Sequence, residues 1–288
     1  MERFYEFAGL RIIIRIPDAV TYQEDDSLLP FRVDGTSEPH CFDFSLVDTL
    51  PVPLGVCVVA QPSFAEFREG ELTQRYIGTV QNRWEDAYIC VAHRGKEHRV
   101  LLKSSSYPNR IGSKTVLNVM GAEHLVAQNG GFVFHSSFVE YKGKGILFTA
   151  PSGTGKSTQA DLWQKHRNAE IINGDRSAIC VAEGGVVACG LPFAGSSGIC
   201  LNKTLPLAAI IYLKQAPQDR IRRLAGAEAF RRIWEGCSVN TWDKADVTAV
   251  SATVQQVIDA VPVFELACTP DETAVKTLEE ACKQEGIL

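Results

Sequence analysis

The residues with the clearest chemistry are the eight at positions 150–157, Ala-Pro-Ser-Gly-Thr-Gly-Lys-Ser. An apolar run at 145–149 precedes them and predicts a buried strand, while 158–163 contain no helix breaker and predict the first turns of a helix. A glycine-rich turn between a strand and a helix can cradle phosphate, because the backbone amides at the helix start point at the anion. The sequence therefore predicts a binding site for a nucleoside triphosphate.

The motif also assigns roles to individual side chains. Lys156 can reach the β- and γ-phosphates, and the Ser157 hydroxyl can hold Mg²⁺. Ala150 stands where such motifs usually begin with glycine, and it keeps a small side chain there. We assign nucleotide binding to a continuous run of residues: Ser152, Gly153, Thr154, Gly155, Lys156, Ser157 and Thr158.

A carboxylate follows the next predicted strand. Residues 169–172 predict a short strand that leads into Asn-Gly-Asp, and its acid, Asp175, comes only 18 residues after Ser157. A carboxylate at a strand end beside a phosphate loop is where Mg²⁺ needs a second protein ligand. The alternative is that Asp175 is a turn former beside Gly174. We predict Asp175 to be a metal ligand and a catalytic residue.

A histidine precedes the motif. Residues 132–139 predict a strand that contains His135, and a turn at 142–144 returns the chain into the strand before the glycine-rich motif. His135 is therefore expected on a strand neighbouring the phosphate site. It is either a core residue whose hydrogen bonds are made within the protein, or a group that donates a hydrogen bond or moves a proton near the γ-phosphate. Both interpretations stay open.

Composition places the chain among ordinary soluble globular proteins and away from several functional classes. Hydrophobic residues make up 45% and charged residues 22%, with a net charge of −5. The acidic balance gives no reason to expect a nucleic-acid partner, and no apolar run is long enough to span a membrane. Nine cysteines without a Cys-x-x-Cys pair fit reduced thiols in the cytoplasm.

The chain divides by pattern into a β-rich part, 1–110, and an α/β part, 111–288. Residues 4–102 predict an antiparallel sheet of five to eight strands, which serves either as a substrate platform or as an outer layer of the fold. The loop at 104–109 is the candidate boundary. After it, apolar residues at helical spacing predict a helix over 116–126.

Beyond Asp175, the pattern alternates between strands and helices. The predicted elements are a hairpin of 177–181 with 186–189, a strand at 207–213, a helix at 248–261, a strand at 262–266 and a helix at 270–283. Arginines concentrate at 219–224 and 231–232, and we interpret them as a solvated helix face, with phosphoryl contact as the alternative. The glycine-rich segment 190–198 is either a loop that closes over a ligand or a plain connector.

The order of His135, the phosphate motif and Asp175 resembles the HPr kinase/phosphorylase family, which shares its fold with phosphoenolpyruvate carboxykinase. The resemblance covers roughly 130–270 and includes Val-Phe-Glu-Leu-Ala-Cys-Thr-Pro-Asp-Glu at 263–272. It implies an α/β P-loop kinase core, with Lys156 and Ser157 on phosphate and Mg²⁺. It also implies that His135 lies near the transferred phosphoryl group.

The sequence departs from that family at one position with chemical consequences. The resemblance implies two adjacent acids that serve as metal ligand and base, and here Gly174 and Asp175 fill those positions. The downstream signature for protein phosphorylation and phosphorolysis has no match, and the β-rich part matches nothing in the family. The enzyme class is therefore the transferable part of the resemblance, and HPr as a substrate is not.

Three functions compete at this point. The first is a Mg²⁺-ATP kinase, using ATP or another nucleoside triphosphate, that phosphorylates a hydroxyl group of a peptide, a protein or a small molecule. The second is a nucleotide-binding module that regulates a partner with little or no phosphotransfer, and the single acid motivates it. The third is a carboxykinase-like enzyme, for which the additional metal ligands and anion-binding arginines are not evident. Homo-oligomerisation is left open.

Overall fold

The computed structural model describes residues 1–107 and 110–288, which group into two compact units, Met1–Gly121 and Ala122–Leu288. Pro108 and Asn109, which belong to the predicted boundary loop, lie outside the described residues. The candidate site residues all belong to the second unit.

The N-terminal unit is β-rich. Its elements are β1 Glu2–Phe7, β2 Leu10–Arg15, β3 Thr21–Gln23, β4 Arg32–Val33, β5 His40–Val47, β6 Val56–Gln61, β7 Phe64–Glu69, β8 Leu72–Ile77, β9 Ile89–Arg94, β10 Glu97–Lys103, β11 Arg110–Gly112 and α1 Ser113–Met120. Nine of these strands form one sheet in the order β4-β1-β2-β5-β10-β9-β8-β7-β6. A separate two-stranded sheet pairs β3 with β11.

The predicted antiparallel sheet of five to eight strands was wrong in strand number and in part of its pairing. The pairs β2–β5 and β5–β10 are parallel, while the neighbouring hairpins are antiparallel. Parallel pairing needs a long connection, and the segments before and after β5 are long enough to provide it. The alternation of apolar and polar residues along a strand shows which face is buried. It does not show whether a partner strand distant in sequence runs parallel or antiparallel.

The helix predicted over 116–126 is two helices, α1 and α2, the second spanning Ala122–Gln128. Gly121 separates them with a φ of 59°, a left-handed conformation that ends a helix and that glycine adopts without strain. Among the residues described, no helix combines the length and apolar character required to cross a lipid bilayer.

The C-terminal unit alternates strands and helices. Its elements after α2 are β12 Gly131–His135, β13 Ser137–Tyr141, β14 Lys144–Thr149, α3 Lys156–Arg167, β15 Glu170–Asn173, β16 Arg176–Ala182, β17 Gly185–Gly190, β18 Thr204–Gln215, β19 Arg220–Leu224, α4 Gly226–Trp234, β20 Cys237–Ser238, α5 Lys244–Ala260, β21 Val263–Cys268 and α6 Glu272–Gln284. The main path of its ten-stranded sheet runs β15-β13-β14-β18-β17-β16-β12-β20, and β21 pairs with β18 and β19.

Three neighbouring strands, β14, β18 and β21, are parallel and form the centre of this sheet. Their side chains alternate between two cores. Ile146 and Phe148 pack on one face with Trp163 of α3, whereas Leu147 packs on the other face with Val254 of α5. Burial on both faces explains why β14 and β18 read as continuous apolar runs. The fold of this unit is α/β, with helices on both sides of the sheet.

Several predicted elements are confirmed. The β16–β17 hairpin, the central strand β18 and the closing helix α6 occur where they were expected. Helix α5 begins at Lys244, four residues before the predicted start, because the Asp243 side chain caps it by accepting hydrogen bonds from the amides of Ala245 and Asp246.

Two predictions in this unit need correction. The single strand predicted over 132–139 is two strands, because the chain leaves β12 at His135 and enters β13 at Ser137. The arginines at 219–224 lie on strand β19 and not on a helix. Arg222 there bonds Glu228 and Glu265, so its charge is neutralised by protein carboxylates.

Candidate functional site

The candidate site residues meet at one edge of the C-terminal sheet. Strand β13 pairs antiparallel with both β14 and β15, so β14 and β15 run in the same direction and end at the same edge. The parallel strands β18 and β21 also end there. Crevices outside the carboxyl ends of parallel strands are the usual ligand sites of α/β sheets.

The glycine-rich loop, residues 150–155, connects β14 to α3 at this edge. Gly153 and Gly155 have φ angles of 78° and 118°, a region that side chains with a Cβ rarely adopt. The first intrahelical hydrogen bond of α3 runs from the Gln159 amide to the Gly155 carbonyl. No side chain caps this helix and no acid lies in its first turn. The helix start therefore presents free amides and the positive end of the dipole to a ligand.

Lys156 is the buried charge of the site. It is 8% exposed, and its Nζ donates a hydrogen bond to the Ala150 carbonyl at 3.1 Å. Burial lowers the pKa of Lys156, and the negative charge of Asp175 opposes that shift. In the part of the chain that the structure describes, Lys156 forms no ion pair. A buried ammonium without a carboxylate partner is suited to an anionic ligand.

Asp175 follows β15 and is held by the residue that ends that strand. Asn173 is fully buried, and its Oδ1 accepts hydrogen bonds from the backbone amides of Asp175 at 2.8 Å and Arg176 at 2.9 Å. Its Nδ2 donates to the Leu191 carbonyl at 2.7 Å. The Asp175 carbonyl accepts a hydrogen bond from the Ser136 amide. These bonds fix the backbone that carries the carboxylate.

Two cationic or ionisable groups lie beside the Asp175 carboxylate. His135 Nε2 is 3.6 Å from its Oδ1, and Arg176 Nε is 3.6 Å from its Oδ2. Partial burial lowers the pKa of His135, and the charges of Lys156 and Arg176 lower it further, while Asp175 acts in the opposite direction. His135 is therefore neutral at pH 7 and offers one ring N–H as a donor.

The loop at 191–198 packs directly on the strand end that carries Asp175. A Cβ added to Gly174 would lie 2.1 Å from Ser197 Oγ, and one added to Gly195 would lie 2.5 Å from Asp175 Cβ. The Gly174 amide donates to the Ile199 carbonyl, which anchors the loop end. Gly174 is thus required by packing, and this structure has no room for a second acid beside Asp175.

The remaining predicted residues surround the loop and the helix start. Ser152, Gly153, Ser157 and Thr158 are exposed, whereas Thr154 and Gly155 are half-buried. The Ser157 hydroxyl lies in the first turn of α3, beside Lys156. The structure therefore brings the predicted nucleotide-binding run and Asp175 to the same edge, with His135 in contact with Asp175.

Sequence reasoning missed two contributors to this arrangement, Asn173 and Arg176, and it left the role of the 190–198 loop open. The Asn-Gly-Asp order carries a usable signal for the first, because asparagine side chains accept bonds from amides two residues further along the chain. Nothing local indicates Arg176, whose guanidinium also lies 5.7 Å from the ring centre of Phe193. The contact of Ser197 with Gly174 depends on tertiary folding alone.

A family model described as SynChlorMet cassette protein ScmC matches residues 113–271, which is more than half of the chain. The chain belongs to the ScmC family. A comparison with curated proteins finds no match. Among solved structures, the HPr(Ser) kinase/phosphatase from Coxiella burnetii aligns with 53% of this chain and 97% of its own, at 11% identity and a TM-score of 0.34. Similarity at that level does not establish a shared fold or function for this ScmC family member.

Proposed function

We propose that this protein is a Mg²⁺-dependent kinase that transfers the γ-phosphoryl group of a nucleoside triphosphate, ATP in particular, to a hydroxyl group. The observation that carries the proposal is the buried Lys156, which forms no ion pair with any described residue, at an uncapped helix start and within electrostatic reach of the Asp175 carboxylate. A phosphate-binding cation and a carboxylate are the minimal parts of a phosphoryl-transfer site.

The residues present fit a magnesium–nucleotide complex. The loop amides and Lys156 bind phosphate oxygens, and the Ser157 hydroxyl and Asp175 are the candidate ligands for the ion. When bound, Mg²⁺ neutralises charge that develops on the phosphate oxygens. The positive φ angles of Gly153 and Gly155 give the backbone the concave shape that such a cradle requires.

The chain's own groups also supply the acid–base part of the reaction. Asp175 accepts the proton of the attacking hydroxyl or orients that hydroxyl, as a carboxylate beside the transferred group does in kinases. Neutral His135, whose Nε2 lies 3.6 Å from Oδ1 of Asp175, is positioned to donate a hydrogen bond to a phosphoryl oxygen. Arg176 lies beside the same carboxylate and adds positive charge where the acceptor approaches.

For the acceptor, we propose a hydroxyl compound, with serine of a peptide or protein first and small hydroxyl compounds second. Incubation with γ-labelled ATP and Mg²⁺, followed by detection of phosphate on a panel of these compounds, tests the proposal. Lys156→Ala is expected to remove transfer. Lys165→Ala is the matched control, because Lys165 is exposed at the far end of the same helix.

A nucleotide-controlled binding module is the second candidate. The packing of Ser197 against Gly174 favours it, because that contact leaves Asp175 without an adjacent acid. Tight binding of Mg²⁺-ATP without transfer to any acceptor or to water supports this candidate over the kinase. Failure to bind a nucleoside triphosphate at all contradicts both.

A further inference from the structure

A cavity of about 640 Å³ opens beside the glycine-rich loop. Its walls are Gly153–Gly155 of the loop, the first turns of α3, and the carboxyl ends of β18 and β21. In the sheet order, these two strands lie on one side of β14, and β15 with Asp175 lies on the other. The cavity therefore adjoins the phosphate-binding loop on the side away from the proposed site of transfer, and its volume is in the range of small-molecule sites.

The lining of this cavity is largely uncharged. Leu213 supplies an apolar wall, and Thr269 and Pro270 follow the end of β21. Burial raises the pKa of the Cys268 thiol to about 11, so the sulfur is protonated at pH 7. Among the described residues that line the cavity, Lys214 is the one with an ionised side chain. Such a surface suits an uncharged heterocycle better than a second anion.

One lining residue carries an unsatisfied polar group. Gln159 is 3% exposed, and its Nε2 lies 3.4 Å from Cys268 Sγ, a weak acceptor. Its Oε1 is buried and accepts no hydrogen bond from any described residue. Leaving a buried carbonyl oxygen without a donor is unfavourable, so a ligand that donates to it gains binding free energy.

We propose that this cavity is the nucleoside subsite and that Gln159 selects adenine; this rests on the proposed function. A carboxamide presents a donor beside an acceptor, which matches the N6 amino group and the adjacent ring nitrogen of adenine. Guanine presents two acceptors, O6 and N7, on the corresponding edge. If guanine were bound, O6 or N7 would face the Gln159 carbonyl oxygen. Because both are acceptors, that oxygen would still receive no hydrogen bond.

The test compares the affinity of the full chain for Mg²⁺-ATP, Mg²⁺-GTP and inorganic tripolyphosphate with Mg²⁺, by calorimetry. Tripolyphosphate reports the phosphate cradle without a base. We expect ATP to bind at least about tenfold more tightly than tripolyphosphate, and GTP to bind closer to tripolyphosphate than to ATP.

Gln159→Glu replaces the donor–acceptor pair with two acceptors, which match the N1 and N2 donors of guanine. We expect the ratio of ATP to GTP affinity to fall about tenfold or more. Gln215→Glu is the matched control, since Gln215 lines the same cavity but is exposed and donates to the Thr154 carbonyl. It introduces the same charge and should weaken ATP and GTP binding equally.

Gln159→Leu provides a second route if the charged variant does not fold. It removes both polar groups, so ATP affinity should fall to that of tripolyphosphate while tripolyphosphate affinity stays unchanged. Equal affinity of the wild type for ATP and tripolyphosphate, or an unchanged ATP-to-GTP ratio in the Gln159 variants, overturns the base subsite but leaves the kinase proposal standing. The base subsite is also overturned if Gln215→Glu lowers the ratio of ATP to GTP affinity as much as Gln159→Glu does. A wild type that binds none of the three ligands contradicts the proposed function itself.

Discussion

Two buried charges, one from each unit, show opposite arrangements of their surroundings. In the N-terminal unit, Glu66 is 1% exposed, and its two oxygens accept hydrogen bonds from the guanidinium groups of Arg68 and Arg75 at 2.7–3.2 Å. In the C-terminal unit, Lys156 is 8% exposed, and among the described residues its Nζ bonds only the backbone carbonyl of Ala150 in its own loop. The first charge is matched within the protein, and the second is not.

The difference distinguishes a charge that is compensated within the protein from one that we propose binds a ligand. A buried ion whose hydrogen-bonding capacity is filled by opposite charge holds elements together, here the strands β7 and β8 that carry these residues. A buried ion that lacks a counter-charge destabilises the protein without a ligand, and it is retained where it binds one.

Lys156→Ala should lower phosphoryl transfer roughly 10³-fold, because it removes the one buried cation that contacts the phosphates. The melting temperature should stay the same or rise, since an unpaired buried charge disappears. Transfer assays and thermal denaturation on the same preparation measure both quantities. Equal ATP affinity in wild type and variant would contradict the phosphate-loop interpretation, and Lys165→Ala should change neither quantity.

Glu66→Gln should lower the free energy of unfolding by about 3 kcal/mol, because two arginines lose the carboxylate that compensates them. Nucleotide affinity should not change, since this charge has its partners within the protein. Denaturant unfolding and calorimetry provide the two readouts. Glu69→Gln, at an exposed position of the same strand, is the control and should change the stability little. A loss of nucleotide binding in a folded Glu66→Gln protein would contradict the proposed difference between Glu66 and Lys156.

Asp175→Asn should lower transfer roughly 10²-fold or more, because it keeps the shape of the side chain but removes the carboxylate that activates the acceptor. Mg²⁺-dependent ATP binding should fall less, since Ser157 and the phosphates still hold the ion. Turnover and calorimetry separate the two effects. Near-normal transfer would show that the base lies elsewhere, with His135 as the first alternative.

His135→Ala should lower turnover about tenfold, which corresponds to the loss of a single hydrogen bond of about 1.4 kcal/mol in the transition state. Its side chain is 38% exposed, so truncation leaves no closed cavity, and the melting temperature should change little. Both values are measured on one preparation. A large drop in melting temperature with normal turnover would instead identify His135 as a packing residue.

The local sequence was sufficient to predict the parts of this protein that depend on neighbouring residues. The strand before the glycine-rich loop, the helix after it, the β16–β17 hairpin and the helix begun by Asp271 all follow from burial patterns, turn chemistry and caps. These signals act over a few residues. They therefore survive in the folded chain wherever no distant contact overrides them.

The predictions that failed required contacts between residues far apart in sequence. The parallel partners of β5, the passage from β12 to β13 at Ser136, and the pairing of β19 with β21 are set by which strands meet in the folded chain. Which strands pair depends on how whole faces of the sheet pack, and the sequence pattern within one strand does not contain that information.

The chemistry of the site divides in the same way. The sequence alone was enough to propose Lys156, Ser157 and Asp175 as a phosphate and Mg²⁺ site, because these ligands favour such groups after a strand. Folding alone decided that Lys156 is buried without a counter-ion and that Ser197 closes the space at Gly174. Burial and excluded volume are properties of the assembled interior, where residues from several elements remove water from a charge and fill the space beside it.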